Sequence, residues 1–321
     1  MYRPLAQDGV VRRLIEAAAA APSIHNTQPW RFRVTDELIE VHADPDRMLW
    51  VADPRGRALH LSCGAALFNL RLAIRMLGAK PLVWPLPDAE TKPTLLASVE
   101  LAPGRPPTSD ERAMFDTIHQ RHTSRAPFAE VPIPASVRFR LEQEAAYEFA
   151  VLRMLNAGDA SAVLDLAAAA EHELAADFSH QVELSQWIET GGDDGIPGEA
   201  LGYRSVSGPA PVRDFGQASA ALVRPSGRYE RQPRLAVLAT SRDQPGDWLR
   251  AGQALERVLL ASAEVGLATS LLYQQVELHD VARRGGKWWP WPEWPQIIIR
   301  LGYGPAGKAS PRRGVDDVID R

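Results

Sequence analysis

The chain holds one cysteine, Cys63, which excludes an intrachain disulfide and a thiolate metal cluster. In "HLSCGAALFNL" that residue reads as a small buried hydrophobe. Long apolar runs are also missing. No stretch approaches the roughly 20 residues needed to span a bilayer, and "MYRPLAQDGVVRRLIEA" lacks the apolar run and cleavage site of a signal peptide. The expectation is a cytoplasmic protein without membrane contact. Charge of one sign is scarce too, since the net value is −4 with both signs interspersed. This argues against a broad nucleic-acid surface but leaves room for a small cationic pocket. No Gly-x-Gly-x-x-Gly fingerprint follows a strand. His42, His60 and His172 are dispersed without metal-ligand spacing. No metal site is expected from that spacing, and there is no Ser-His-Asp or paired-carboxylate constellation.

What is present is a soluble globular composition, 45% hydrophobic and 24% charged, over 321 residues. Residues 8–21 have the period of a helix, with Val11, Leu14, Ile15 and Ala18 on one face. "RFRVTDELIEVHAD" alternates as two strands about a turn near Asp36. Residues 57–77 predict a long apolar helix stopped by Gly78, and "PTLLASVELAP" a strand between Pro-rich segments 81–87 and 103–107. The long helix has a counterpart: "GAALFNLRLAIRMLGA" from Gly64 aligns without gaps on "GQALERVLLASAEVGL" from Gly252. A strand follows each, "LLASVEL" and "QIIIRLGYG", and the repeated order points to duplication. Residues 159–190 read as helical, and the Gly- and Pro-dense stretch 191–216 as a packed, lid-like excursion carrying Ile196, Leu201, Tyr203 and Phe215. "KWWPWPEWP", residues 287–295, has four tryptophans in nine positions and reads as a rigid packed loop rather than a ligand wall.

Three short stretches carry polar chemistry. In "APSIHNTQPWRF", Pro22 stops the first helix and is followed by Ser23, His25, Asn26, Thr27 and Gln28. Uncharged amides and hydroxyls suit a flat heterocycle with donors and acceptors on its edge. They suit a capped turn equally well. In "IHQRHTSRAPF", Arg121, His122 and Arg125 surround Thr123 and Ser124, a set able to grip a phosphate monoester or to form a solvated basic turn. In "SPRRGVDDVI", Arg312 and Arg313 either complete an anion site or pair with Asp316 and Asp317.

Taken together, "PSIHNTQPWRF", "RHTSR", the "GQALERVLLASAEVGLATS" helix and the closing "LGYG…SPRRGVDDVI" resemble the nitroreductase family of FMN enzymes. They are most similar to its Acg-like branch of actinobacterial NAD(P)H nitroreductases. The resemblance spans nearly the whole chain. It implies an α+β nitroreductase-like fold with antiparallel or mixed central sheets flanked by helices. The family works as a homodimer whose FMN sites are each built across the interface. Here the ring-side loop lies in one half and the arginine clasp in the other, so the two halves have lost complementary elements. The expectation is a single-chain pseudo-dimer with one FMN, residues 1–107 forming the first half and 108–321 the second.

By the same resemblance, Arg121, Thr123 and Arg125, with Arg312 behind them, hold the phosphate, and His122 adds a contact. Ser23, Asn26 and Gln28 meet the ring or ribityl chain, Pro22 packs on the ring, and His25 touches it. Leu267, Ala268, Thr269 and Ser270 bring backbone amides to the reacting side. Thr123 stands where many relatives carry serine and keeps the hydroxyl. The implied activity is NAD(P)H-dependent, ping-pong hydride transfer to a small nitroaromatic or quinone-like acceptor, with the chemistry on FMN. The alternative is FMN storage or sensing beneath a lid that blocks NAD(P)H. A monomer suffices to build the site, and a homodimer remains compatible with it.

Overall fold

The computed structural model describes residues 5, 7–188, 191–206, 210–213, 215, 222–273 and 289–320. The first half runs α1 (Asp8–Ala19), β1 (Trp30–Val34), β2 (Leu38–Ala43), α2 (Arg57–Met76), β3 (Ala79–Pro85) and β4 (Leu95–Pro103). Its strands pair antiparallel in the order β1-β2-β4-β3. The second half opens with α3 (Ser109–Thr117), α4 (Ala135–Tyr147) and β5 (Val151–Met154). An insertion follows, with α5 (Ala157–Ala176), α6 (Phe178–Ser185) and the two-residue strands β6 (Arg204–Ser205) and β7 (Ser226–Gly227). The half then continues through β8 (Arg234–Thr240), α7 (Pro245–Glu264), β9 (Ala268–Leu272) and β10 (Trp294–Gly302). These strands also pair antiparallel, in the order β5-β8-β10-β9. With the insertion set aside, α4 through β10 repeat the element order and sheet order of α1 through β4.

The chain then returns to the first half. A turn of helix, α8 (Val315–Val318), leads into β11 (Ile319–Asp320), which lies parallel to β1 and makes that sheet five-stranded and mixed. Arg31 of β1 pairs with Asp320, and Arg12 of α1 with Asp316 at 2.7 Å.

The long helices are the joint between the halves. Both end on a glycine in the left-handed region, Gly78 (φ +74) and Gly266 (φ +73), where a side chain would be strained. They cross so closely that a Cβ on Gly64 would stand 2.2 Å from Leu249 O, and one on Gly252 2.1 Å from Leu61 O. Leu61 stands to Gly64 as Leu249 stands to Gly252, so the contact is reciprocal, as a two-fold relation between helices requires. Around the crossing lies one continuous core, with Leu67, Leu70 and Ile74 from α2 and Val258, Leu259 and Leu260 from α7.

Strand patterning follows coverage. On β1, Trp30 and Phe32 are fully buried while the arginines between and after them face outward, so one face is solvated. On β10 the run Ile297-Ile298-Ile299 is apolar throughout. Ile297 and Ile299 join the central core, while Ile298, with Leu235 and Val237 of β8, packs under Ala160 and Val163 of α5. The insertion thus covers the outer face of the second sheet. Segment 81–87, read from sequence as Pro-rich connection, instead carries the edge strand β3, where Pro81 and Pro85 pair with β4 alone. Of the tryptophan-rich stretch, residues 289–295 are described. Trp289 packs on this outer cluster and stacks edge-on with Trp291 at 4.7 Å. Lys287 and Trp288 lie outside the described residues. No described helix is long and apolar enough to cross a membrane.

Candidate flavin-type site between the halves

A cleft enclosing about 1000 Å³, open solvent at its mouth included, lies where the two halves and the insertion meet. The first half lines it with Pro22 to Asn26 and with Ala58, Leu61 and Ser62 of α2. The second half gives Arg121, His122, Thr123 and Arg125, Leu255 of α7, Leu271, Tyr273 and Ile297. The insertion gives Ile196, Arg213 and Phe215, and the C-terminal segment Ser310 and Arg312. The two motifs that stand about a hundred residues apart in sequence therefore face one space.

The loop after α1 is held in an uncommon backbone form. His25 (φ 48), Asn26 (φ 57) and Gln28 (φ 50) all lie in the left-handed region, unusual for residues with a side chain. Local bonds stabilise it. Ser23 Oγ accepts from Gln28 N at 2.9 Å, and Ser62 Oγ accepts from Ile24 N at 3.2 Å. Asn26 Nδ2 donates to Gly195 O and Pro311 O, and Asn26 Oδ1 accepts from Arg312 at 2.8 Å. Gln28, fully buried, donates to Asp193 O at 2.8 Å and accepts from Arg313 N at 2.8 Å. The loop is thus a hub that fastens the insertion and the C-terminal segment to the first half. Gln28 stands behind the cleft wall rather than on it.

Arginines dominate the opposite wall. Arg121 and Arg312 both donate to Ala20 O at 3.3 Å, and Arg312 also to Ala21 O at 3.2 Å, at the end of the first helix. Beneath them Glu256 of α7 is completely buried, 3.5 Å from Arg121 Nε. Burial pushes its carboxyl up, against the opposing pull of Arg121 and Arg312. Arg312 is drawn down to about 10, first by burial and then by Arg121. His122 is also lowered, by burial and by these two guanidiniums. Arg125 lies apart from this group. Its Nη1 donates to Ala200 O at 2.7 Å, and its guanidinium carbon sits 5.1 Å from the Phe215 ring. It too falls to about 10, by burial and then by Arg213.

The structure therefore brings Pro22, Ser23, His25, Asn26, Arg121, His122, Thr123, Arg125 and Arg312 to one cleft. Leu267, Ala268, Thr269 and Ser270 do not line it. Leu267 precedes β9 and the other three begin it, where Thr269 O accepts from Ser124 N at 2.7 Å and so props the arginine loop from behind. Leu271 and Tyr273, farther along, face the cleft instead. Sequence reasoning also passed over Glu256 and Arg213. Glu256 had a readable signal: in the ungapped helix alignment it stands opposite Phe68, a charge on a face that is apolar in the other copy. Arg213 had none, because only folding carries the insertion to the cleft.

The cleft thus lies between two units of the same element and sheet order, with a strained polar loop on one side and buried guanidiniums on the other. No family model matches the chain. Two Mycobacterium tuberculosis proteins, each named "Putative NAD(P)H nitroreductase" (acg and Rv3131), are 32% identical to it. The matches cover 97% of this chain and 95% and 91% of those proteins. The crystal structure of a "putative nitroreductase" from Anabaena variabilis superimposes with a TM-score of 0.50 at 11% identity, over 94% of this chain and 91% of that one. The chain belongs to the nitroreductase family, in its Acg-like branch.

Proposed function

We propose that the protein is an FMN-dependent oxidoreductase that draws electrons from NAD(P)H and reduces a small electron-poor acceptor, nitroaromatic or quinone-like. The observation that carries this reading is the pairing of Arg121 and Arg312, partly buried or buried and converging on one point, with an uncharged polar loop across the same cleft. The residues present fit the cofactor: guanidiniums with one buried carboxylate among them favour a phosphate dianion. The apolar part of the cleft, with Ile24, Leu61, Leu255 and Ile297, fits a planar ring.

In this reading Arg121 binds the phosphate as the principal donor, since only its Nη2 is engaged, with Ala20 O, and its Nη1 makes no hydrogen bond to a described residue. Arg312, Thr123 and His122 flank it. Arg125 lies beyond Thr123, toward the insertion. Pro22 and Leu271 supply apolar surface for the ring, while Ser23 and Asn26 hold the loop that shapes its edge pocket. FMN, when bound, supplies the two-electron chemistry, so no acid or base is required of the chain. Residues 1–107 and 108–321 act as two nitroreductase-like halves of one pseudo-dimer. The repeated sheet order and the reciprocal Gly64–Gly252 contact support that division.

A second reading is favoured by one observation. The wall formed by 193–196 is tied down by Gln28, by Asn26 and by the Arg47–Asp194 pair at 2.9 Å. Such a wall suits FMN storage without turnover. Anaerobic mixing of the yellow, FMN-loaded protein with NADH and with NADPH decides between the two. Bleaching of the flavin band supports the oxidoreductase. Bleaching by dithionite alone supports storage, and a colourless protein that takes up no FMN rejects both.

A further inference from the structure

Behind the arginine pair lies a buried polar group that lines no part of the cleft. Glu256 of α7 and Asn69 of α2 are both fully buried. Among the described residues, neither oxygen of Glu256 and neither amide atom of Asn69 makes a hydrogen bond, and the Nε atoms of Arg121 and Arg312 make none either. Buried polar atoms are ordinarily paired, so these six require an explanation. The helix repeat ties the acid to this place. Glu256 stands opposite Phe68, and Asn69 opposite Arg257, which pairs with Glu144 at 2.6 Å. The carboxylate is thus present only in the helix copy that faces Arg121 and Arg312.

The charged groups acting on Glu256 are Arg121, whose Nε stands 3.5 Å away, and Arg312. From α2 it meets the neutral Asn69. His122, lowered by burial and by the same two guanidiniums, is the other titratable group at this end of the cleft. Two guanidiniums outweigh one carboxylate by a single positive charge. A phosphate dianion reverses that sign, and one proton on Glu256 restores neutrality. Burial already works against the ionised acid and pushes its carboxyl up.

On the reading that Arg121 and Arg312 hold the phosphate of FMN, we propose that Glu256 takes up a proton from solvent when the phosphate binds. In the empty cleft the ionised acid offsets part of the arginine charge. In the filled cleft the phosphate engages the guanidiniums, and the neutral acid stays in the core. Glu256 acts through the arginines rather than on the cofactor, and it makes cofactor affinity depend on pH. The sign follows from linkage: affinity falls as pH rises between the empty-site and filled-site pKa of the acid, by up to about tenfold per pH unit.

The test is calorimetric titration of the full chain, freed of flavin, with FMN in buffers of different ionisation enthalpy, from about pH 5.5 to 8.5. The phosphate of FMN titrates near pH 6, and comparison of the parent with Glu256→Gln cancels that proton. Over part of the range the parent should take up more protons than Glu256→Gln, by up to about one per FMN. The difference should persist in a His122→Asn background. At the alkaline end Glu256→Gln should bind FMN at least as tightly as the parent, because it has no proton to acquire. Equal proton counts at every pH overturn the proposal, as does a difference that vanishes in His122→Asn. Weaker alkaline binding by Glu256→Gln overturns it as well, because the ionised acid then serves only to hold Arg121. A protein that takes up no FMN removes the cofactor reading instead. Sulfate, a dianion without a titratable proton in this range, then reads the proton count at the arginine pair, and does so too if Glu256→Gln fails to fold. Sulfate bound without proton uptake, or not bound, overturns the proposal.

Discussion

His25 shows how one side chain ties stability to pH. It is buried, lies in left-handed backbone and accepts from Arg213, which keeps the ring neutral. Burial, then Arg213, His180 and Arg125, hold its pKa well below the ordinary 6.5. The unfolded chain therefore takes up this proton first. The contribution is complete above about pH 6.5 and is lost as pH falls toward the native value. His60, His122 and His180 are lowered as well and add to the same trend. Thermal unfolding followed from pH 7.5 to 5 should show falling stability. His25→Asn, which tolerates left-handed backbone, should flatten the slope by up to about 1.4 kcal/mol per pH unit. An unchanged slope would mean that His25 is not the group that titrates.

In the proposed reading, Arg121 is the residue on which cofactor binding depends most. Removing its charge-assisted contact should weaken FMN binding by roughly 10- to 100-fold in Arg121→Ala. Flavin fluorescence titration measures this directly, and an unchanged Kd would place the phosphate elsewhere. Glu256 lies in the dry core beneath Arg121, 3.5 Å from its Nε, and opposes its charge without a hydrogen bond. The sequence showed the arginines by their type and spacing. It could not show which of them converge, because Arg121 and Arg312 come together only through the return of the chain to Ala20.

Among the elements, α2 and α7 matter most, and their glycines set the approach. Gly252→Ala would place a methyl group 2.1 Å from Leu61 O, a backbone atom that cannot step aside. The helices must then separate, at a cost of about 1–3 kcal/mol as in other overpacked cores. A lowered Tm together with weaker FMN binding is the expected outcome, because Leu61 and Leu255 line the cleft on either side of that crossing. A variant as stable as the parent would show that the crossing adapts freely. Both helices were legible in the sequence from period and glycine stops. The edge strand β3 was not, since prolines in an unpaired edge look like a loop. Of the insertion, residues 159–190 read as helical and 191–216 as a packed excursion, of which 207–209, 214 and 216 lie outside the described residues. That it covers the second sheet with α5, and reaches the cleft with Arg213, depends on where β5 and β8 lie.

For the molecule as a whole, the cleft has one pair of converging arginines, Arg121 and Arg312, and one strained loop. The equivalent turn after α4, residues 148–150, has one left-handed residue, Phe149 (φ 56), in place of three, and carries no arginine. One FMN per chain is therefore expected, measured as flavin released on denaturation against protein concentration. Two per chain would mean that the second half builds a site of its own. Composition, the helix repeat, the residue types of the two motifs and the resemblance to nitroreductases could be read without coordinates. Each depends on local chemistry or on spacing along the chain. Tertiary structure alone decided that Gln28 and Thr269 support the cleft from behind, that Glu256 lies beneath Arg121, and that Arg125 turns toward Arg213 and away from Arg312. The physical reason is that a side chain's type sets what it can bind, whereas its partners, and hence the charge it must balance, are set by which distant segments fold against it.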